Sequence, residues 1–535
     1  MREDQKYPLQ KINRNGRECM AYRMPFANLY ETLVASQARF PNKDALADAQ
    51  RTVSYTVLKE ETDAMASYLA HKCGIGKGDR VALSMVNSIP FCVSFYAVMK
   101  LGATVVSINT KLSADEMEFI LRDSDAVCLI ADRKWYERVQ ERLPKTRIAH
   151  ILITENTPPR GLVSYQEVIA AGKKLESIPV VTDDTLPAEI MYTSGTTGRP
   201  KGAVMTQFNL LQGMYSYAIL NDMDDEESTV LPVPIFHITG LNCVLTLFVF
   251  LGGFIVMMPF FDAVDVLDKM TAYRVTHIHA VATVFIMLES AMLERHDLSS
   301  LKTALCGGGF MTRETVSRFC RKAPNCAFHP VYGMTETSGA GTYFPEHCLD
   351  SEIKDSCGIV SPNCEIRVVD ENDIEVPNGQ NGEICFRGAF IIDSYLHGKG
   401  NENIQNGWLH SGDVGCFNED GYLFIHDRIK DMINRGGEKV FSLAVEDVIM
   451  SFGGIKQAAV FAVDDSLYGE VPGAVVLSEP GVETDMEALR EYLRAHLAHY
   501  KVPVYMEHRE SLPTTANGKV RKFLLRQEFN QKYAQ

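Results

Sequence analysis

The segment Tyr192-Thr193-Ser194-Gly195-Thr196-Thr197-Gly198-Arg199-Pro200-Lys201-Gly202 gathers three glycines, four hydroxyls and one lysine within eleven residues. Glycines let a backbone close tightly on an anion, and hydroxyl and ammonium groups donate hydrogen bonds to it. The segment follows the strand-like run Ala188-Glu189-Ile190-Met191, which places it on a loop leaving a strand. It is not a Walker A loop, which requires Gly-x-x-x-x-Gly-Lys-Ser/Thr. Pro200 before the lysine and Gly202 after it also oppose a helix starting there. A flexible linker is the plainer reading, but linkers seldom leave a strand directly carrying a single lysine.

Three further segments carry candidate chemistry: Tyr332-Gly333-Met334-Thr335-Glu336-Thr337, Ser411-Gly412-Asp413, and Pro513-Thr514-Thr515-Ala516-Asn517-Gly518-Lys519. With the glycine-rich loop they occur in an order that resembles the acyl-adenylate-forming superfamily, from about Leu29 to Phe529. That group comprises acyl-CoA synthetases, luciferases and peptide-synthetase adenylation domains. The resemblance implies ATP-driven activation of a carboxylic acid as acyl-AMP with loss of pyrophosphate. Transfer of the acyl group to coenzyme A then follows. Attack of a carboxylate on a phosphate joins two anions, so the site must neutralise charge on the α-phosphate and on the leaving group.

By this resemblance Thr193, Ser194, Gly195, Thr196, Thr197 and Lys201 grip the β- and γ-phosphates, and Thr335 donates to the α-phosphate. Glu336 is the expected Mg²⁺ ligand, since Mg²⁺ takes few protein oxygens and fills its shell with water and phosphate. Tyr332 is placed to stack on adenine, with Gly307, Gly308 and Gly309 allowing close approach, and Gly333 beside it belongs to the nucleotide-binding set. Asp413 would accept both ribose hydroxyls, each charge-assisted bond being worth roughly 1.5–3 kcal/mol, with Arg428 as a second contact. The plainer reading of Asp413 is a turn-stabilising aspartate. Lys519 matches the lysine that spans α-phosphate and acid carboxylate during adenylation, and Lys430 occupies the hinge. Arg435, Gly436 and Gly437 would line the pantetheine path. Some aryl-CoA ligases carry lysines where this chain has Asn434 and Gly436, and the Gly-Gly-Glu-Lys version looks more like bacterial fatty and medium-chain ligases. His237 matches an aromatic gate at an acyl pocket formed by Phe236, Ile238, Gly240, Val281, Ala282, Gly309 and Ala340. It need not move a proton, and a structural role is the plainer alternative. His277 and His279 alternate within one strand-like run and read as structural rather than metal-binding.

Short apolar runs at Arg80–Met85, Ala126–Ile130, Phe254–Met258 and His277–Val281 alternate with helical patterns, implying βαβ units and parallel sheets. The first ~25 residues read as an irregular extension. Gly74-x-Gly76-x-Gly78 precedes a strand-like run rather than a helix, so it reads as a turn, not a dinucleotide fingerprint. Between Cys357 and Ile425, short runs separated by Asn378-Gly379 and Asn381-Gly382 imply an antiparallel or barrel-like part. Leu241 to Phe261 is a 21-residue uncharged stretch split by Gly252-Gly253, read as buried helix, turn and strand rather than a membrane span.

The expected organisation is therefore an N-terminal extension (1–25), a large α/β adenylate-forming domain (26–429) of parallel and mixed sheets, and a small mobile α+β lid (430–535), with the active site at their junction. The net charge of -15 argues against nucleic acid, whose binders need clustered cations. Thirteen cysteines without a C-x-x-C pair favour reduced thiols in a cytoplasmic protein over a zinc site. ATP, Mg²⁺ and coenzyme A are the expected cofactors and co-substrates, and a homodimer is the family expectation. Alternatives left open are loading of a free-standing carrier protein, or a non-catalytic nucleotide-binding relative. The acid itself is not readable: medium- or long-chain, aryl and alicyclic acids all fit.

Overall fold

Residues 6–14, 16–193, 200–309, 311, 313–479, 481–514 and 520–533 are described by the computed structural model. The anticipated strands form at Arg80–Ser84, Cys128–Ala131, Pro187–Thr193, Phe254–Met257 and His277–Val281. By its internal contacts the chain divides into two units. One comprises Met1–Ile366, Phe386–His410 and Gly421–Leu423; the other Arg367–Cys385, Ser411–Asp420 and Phe424–Gln535.

The first unit holds two large sheets. In one, Thr104–Ser107, Arg80–Ser84, Cys128–Ala131, His150–Ile153 and Val163–Ser164 run parallel in that spatial order. Pro187–Thr193 joins parallel to Thr104–Ser107, and Lys201–Thr206 then turns back antiparallel to it. In the other sheet, Ala327–Met334, Thr303–Gly307, His277–Val281, Ser228–Leu231 and Phe254–Met257 are consecutive parallel neighbours. Near-continuous Val/Ile/Leu runs suit strands covered on both faces by crossover helices. Helices Ile89–Lys100 and Gln207–Leu220 are buried almost all round, as helices inside a core must be. The Thr206 hydroxyl caps Gln207–Leu220 by accepting from the Asn209 amide, which fixes where the preceding strand gives way to helix.

The uncharged stretch resolves as expected: a π-helical turn Leu241–Thr246, helix Leu247–Leu251, Gly252 in the left-handed region (φ 85°), then strand Phe254–Met257. Among the described residues no helix is long and apolar enough to cross a membrane. The N-terminal segment departs from expectation. Leu9–Arg14 and Arg17–Tyr22 pair as an antiparallel hairpin, and Tyr22 exchanges backbone hydrogen bonds with the Gln212 amide at 2.8 Å. The alternation of apolar and charged residues there was short enough to pass for irregular chain. The antiparallel part anticipated after Cys357 is a five-stranded sheet, but its strand order is open rather than closed into a barrel.

In the second unit, Glu438–Val440, Ile433–Arg435, Gly469–Ser478 and Ile455–Asp465 form a sheet to which Tyr505–His508 adds, with helices Ser442–Met450, Met486–His496 and Lys522–Tyr533. Its own core includes Val460, Val476, Leu489, Leu525 and Phe529.

Candidate active site

Strand Pro187–Thr193 delivers Thr193 and strand Lys201–Thr206 returns the chain, with Thr193 and Lys201 the terminal pair of this antiparallel ladder. The ladder ends at this pair, and Ser194, Gly195, Thr196 and Thr197 lie outside the described residues. Both loop ends are held. The Lys201 ammonium, almost buried, lies 2.6 Å from a Glu402 carboxylate oxygen. The Thr193 hydroxyl donates to Glu336 Oε1 at 3.2 Å, and the Tyr395 phenol donates to the same oxygen at 2.9 Å. One residue earlier on the same strand, Tyr192 donates to Asp123 at 2.9 Å.

Glu336 is presented by a tight local turn. Strand Ala327–Met334 ends in the 3₁₀ turn Thr335–Thr337, and Ser338 takes a left-handed conformation (φ 50°). The Thr337 hydroxyl accepts from the Met334 amide at 2.9 Å and donates to the Gly339 carbonyl at 2.6 Å, closing the turn on itself. The Glu336 carbonyl accepts from the Ile392 amide at 3.0 Å. Both hydroxyl donors go to Oε1, which leaves Oε2 without a hydrogen bond among the described residues. A single carboxylate oxygen so presented suits Mg²⁺, which bonds one or two carboxylates and otherwise water and phosphate. Tyr332 packs its ring 5.5 Å from Phe386, and Gly333 pairs with Ala340. Thr335 begins the same turn.

Gly307 ends a strand one position over from Val281, its register partner. Gly308 adopts φ 68°, a conformation a side chain would strain, and a Cβ there would meet Val281 at 3.1 Å. Gly309 faces Ala282 in the same way at 3.5 Å. Thus Gly307, Gly308, Gly309, Val281 and Ala282 of the expected binding residues do come together. Phe236, Ile238 and Gly240 are buried, and the His237 ring lies 4.8 Å from Phe236. Ala340 lies in strand Gly339–Tyr343. His277 and His279 pack against Phe248 and Tyr217 at 5.5 and 5.3 Å, and burial pushes the His279 imidazole down to about 3. Both are neutral core side chains.

Asp413 lies within strand Trp408–Phe417 rather than in a turn before it, beside Gly412 at φ 74°. The Gly412 amide donates to Glu383 and the Asp413 amide to the Ser411 hydroxyl, both at 3.0 Å. Arg428 reaches Asp413 Oδ1 at 3.1 Å, so the two expected ribose contacts are neighbours. Lys430 is exposed in the turn following Arg428, whose carbonyl accepts from Asp431 and Met432. Gly436 and Gly437, both at positive φ, form a two-residue hairpin turn between Ile433–Arg435 and Glu438–Val440. Arg435 donates to the Tyr500 carbonyl at 2.9 Å and stacks on Tyr468. Lys519 lies outside the described residues.

Tyr395, Glu402 and Asp123 were missed from sequence. They sit 59, 201 and 69 positions from their partners Glu336, Lys201 and Tyr192, so no local pattern joins them. Asp427 was also missed as an anchor: buried, it accepts from the Ser442 amide and hydroxyl, and Lys522 donates to that hydroxyl at 2.7 Å. Burial raises the Asp427 carboxyl above its ordinary range.

Parallel strands whose C-terminal ends carry glycine turns and phosphate-type donors define a nucleotide-binding α/β protein. Residues 33–396 match the AMP-binding enzyme family and 444–519 its C-terminal domain, and the chain belongs to this family. It is 33% identical over 493 residues to a feruloyl-CoA synthase of Amycolatopsis sp., covering 91% of this chain and 96% of that one. A long-chain-fatty-acid–CoA ligase of Salmonella typhimurium is 30% identical, covering 94% and 95%. Among solved structures, o-succinylbenzoate coenzyme A synthetase of Bacillus subtilis with ATP and magnesium superposes with a TM-score of 0.80 at 28% identity, covering 92% and 98%. ATP-bound MatB of Rhodopseudomonas palustris gives 0.85 at 26%, covering 95% and 100%.

Proposed function

We propose that the chain is an ATP-dependent acid–thiol ligase that forms an acyl-adenylate and passes the acyl group to coenzyme A. The observation that carries this reading is the meeting of Thr193 and Glu336 at the end of a strand whose terminal ladder partner is Lys201. In the first step an acid carboxylate oxygen attacks the α-phosphorus and pyrophosphate departs. Lys201 and the loop donors offset the negative charge growing on the leaving group, and Thr335 donates toward the α-phosphate. A divalent cation held by Glu336, when bound, supplies further charge neutralisation at the phosphate oxygens. An ionised acid needs no general base for this step. In the second step the thiolate of coenzyme A attacks the acyl carbonyl and AMP leaves.

Asp413 accepts from the ribose hydroxyls, Lys519 serves adenylation, and Arg435, Gly436 and Gly437 border the pantetheine path beyond a hinge at Lys430. Beyond its carboxylate the acid is apolar, aryl or long-chain, as the curated relatives' names suggest and as Phe236, Ile238, Val281 and Ala282 would favour. AMP release screened across acid chain length and ring size, with coenzyme A as acceptor, tests the reading. Acid-dependent AMP with no thioester would redirect it toward a carrier-protein acceptor.

A further inference from the structure

The segment from Tyr395 to Glu402 touches Lys201, Glu336 and Asp123, three residues that flank the ends of the glycine-rich loop. Ser394 and Tyr395 extend the sheet by pairing with Val204 and Ala203 of the loop's return strand. Glu402 holds Lys201 at 2.6 Å. Lys399 reaches Asp123 at 2.5 Å, and the His397 ring lies 2.7 Å from the Asp123 carbonyl; Asp123 also receives the Tyr192 phenol. Tyr395 itself is locked at both ends of the residue. Its amide donates to Asn401 Oδ1 at 2.8 Å, and its ring lies so close to Gly400 that a Cβ there would meet it at 2.8 Å. Gly400 sits at φ 121°, a conformation only glycine takes readily.

We propose that Tyr395 is a positioning residue for the metal–ATP complex: its phenol pins Glu336 Oε1 so that Oε2 is offered to the divalent cation carried by the phosphates. Two hydroxyls hold that carboxylate, and they are not equivalent. Thr193 stands at the edge of the loop that must grip phosphate, and its bond is the longer, 3.2 Å against 2.9 Å. Tyr395 is held by its own segment and keeps its place while the loop engages ATP. Preorganising a ligand lowers the cost of ordering it when the cation arrives. Removing a hydrogen bond to a charged group costs enough to lower affinity about ten-fold or more.

The inference rests on Glu336 as the metal's carboxylate, and the experiment separates the two. A non-hydrolysable ATP analogue is titrated by calorimetry into the full-length protein with and without Mg²⁺. The variants are Tyr395→Phe, which keeps the ring, Glu336→Gln, and the double variant. Tyr395→Phe should leave metal-free affinity within about two-fold and cut the gain from Mg²⁺ about ten-fold. Glu336→Gln should remove most of that gain, and adding Tyr395→Phe to it should cost nothing more. Equal loss with and without metal in Tyr395→Phe, or additive losses in the double variant, overturns the positioning role. An undiminished Mg²⁺ gain in Glu336→Gln overturns the assignment of Glu336 and this inference with it. Thermal unfolding of each variant separates a folding defect from a binding one: a Tyr395→Phe protein that binds weakly only because it is partly unfolded would lose both affinities together, the overturning result.

Discussion

At the scale of single residues, the sequence exposes donors well and their holders poorly. Thr193, Lys201 and Glu336 are legible because phosphate chemistry demands their types in a recognisable local order. Tyr395 and Glu402 are not, because a brace is defined only by what the fold brings to it. Losing the phosphate cation in Lys201→Met should lower the turnover of acid-dependent pyrophosphate exchange about 10²–10³-fold, the usual penalty for removing one donor to developing charge. A variant within a few-fold of the parent would exclude Lys201 from the phosphate site. The neighbouring Asp413 and Arg428 make a sharper expectation for the ribose. The parent should use ATP better than 2′-deoxy-ATP by about ten-fold, and Asp413→Ala should erase that preference. A preference retained in the variant would assign Asp413 to the strand alone.

At the scale of elements, periodicity and glycine placement anticipated the parallel strands and the folding of Leu241 to Phe261 into helix, glycine turn and strand. They did not anticipate the N-terminal hairpin, whose register depends on a distant Gln212, or the open order of the later antiparallel sheet. Two elements carry testable energetics. Helices Tyr55–Cys73 and Tyr165–Gly172 approach so closely that a Cβ on Gly172 would fall 2.0 Å from the Ala64 carbonyl oxygen. Because backbone must yield there, Gly172→Ala should lower stability by about 1–3 kcal/mol, read from the urea midpoint. In the eight-stranded sheet, Glu189 is wholly buried on strand Pro187–Thr193; Oε1 accepts from the Ser107 amide at 3.0 Å and Oε2 has no partner among the described residues. Burial raises this carboxyl well above its ordinary value. It is protonated in the fold but ionises in the unfolded chain above pH ~4.3, so folding is penalised progressively as pH rises past that value toward the folded pKa. The penalty grows by at most about 1.4 kcal/mol per pH unit. Denaturation at pH 5 and 8 should show a smaller decline with pH in Glu189→Gln than in the parent, and parallel declines would place an ionised carboxylate there.

At the scale of the whole molecule, membership of the AMP-binding enzyme family and a chain-long likeness to acyl-CoA ligases frame a two-step reaction. The resemblance assigns the lysine at 519 to the first step alone. Lys519→Ala should abolish acid-dependent pyrophosphate exchange while sparing thioester formation from preformed acyl-AMP, and equal loss in both would deny it that role. The reaction as a whole is decided by its nucleotide product. With ATP, Mg²⁺, coenzyme A and a panel of aryl and long-chain acids, chromatography should show AMP and pyrophosphate appearing only when an accepted acid is present, in step with acyl-CoA. ADP and orthophosphate in their place, or AMP formed regardless of acid, would contradict an acyl-adenylate intermediate.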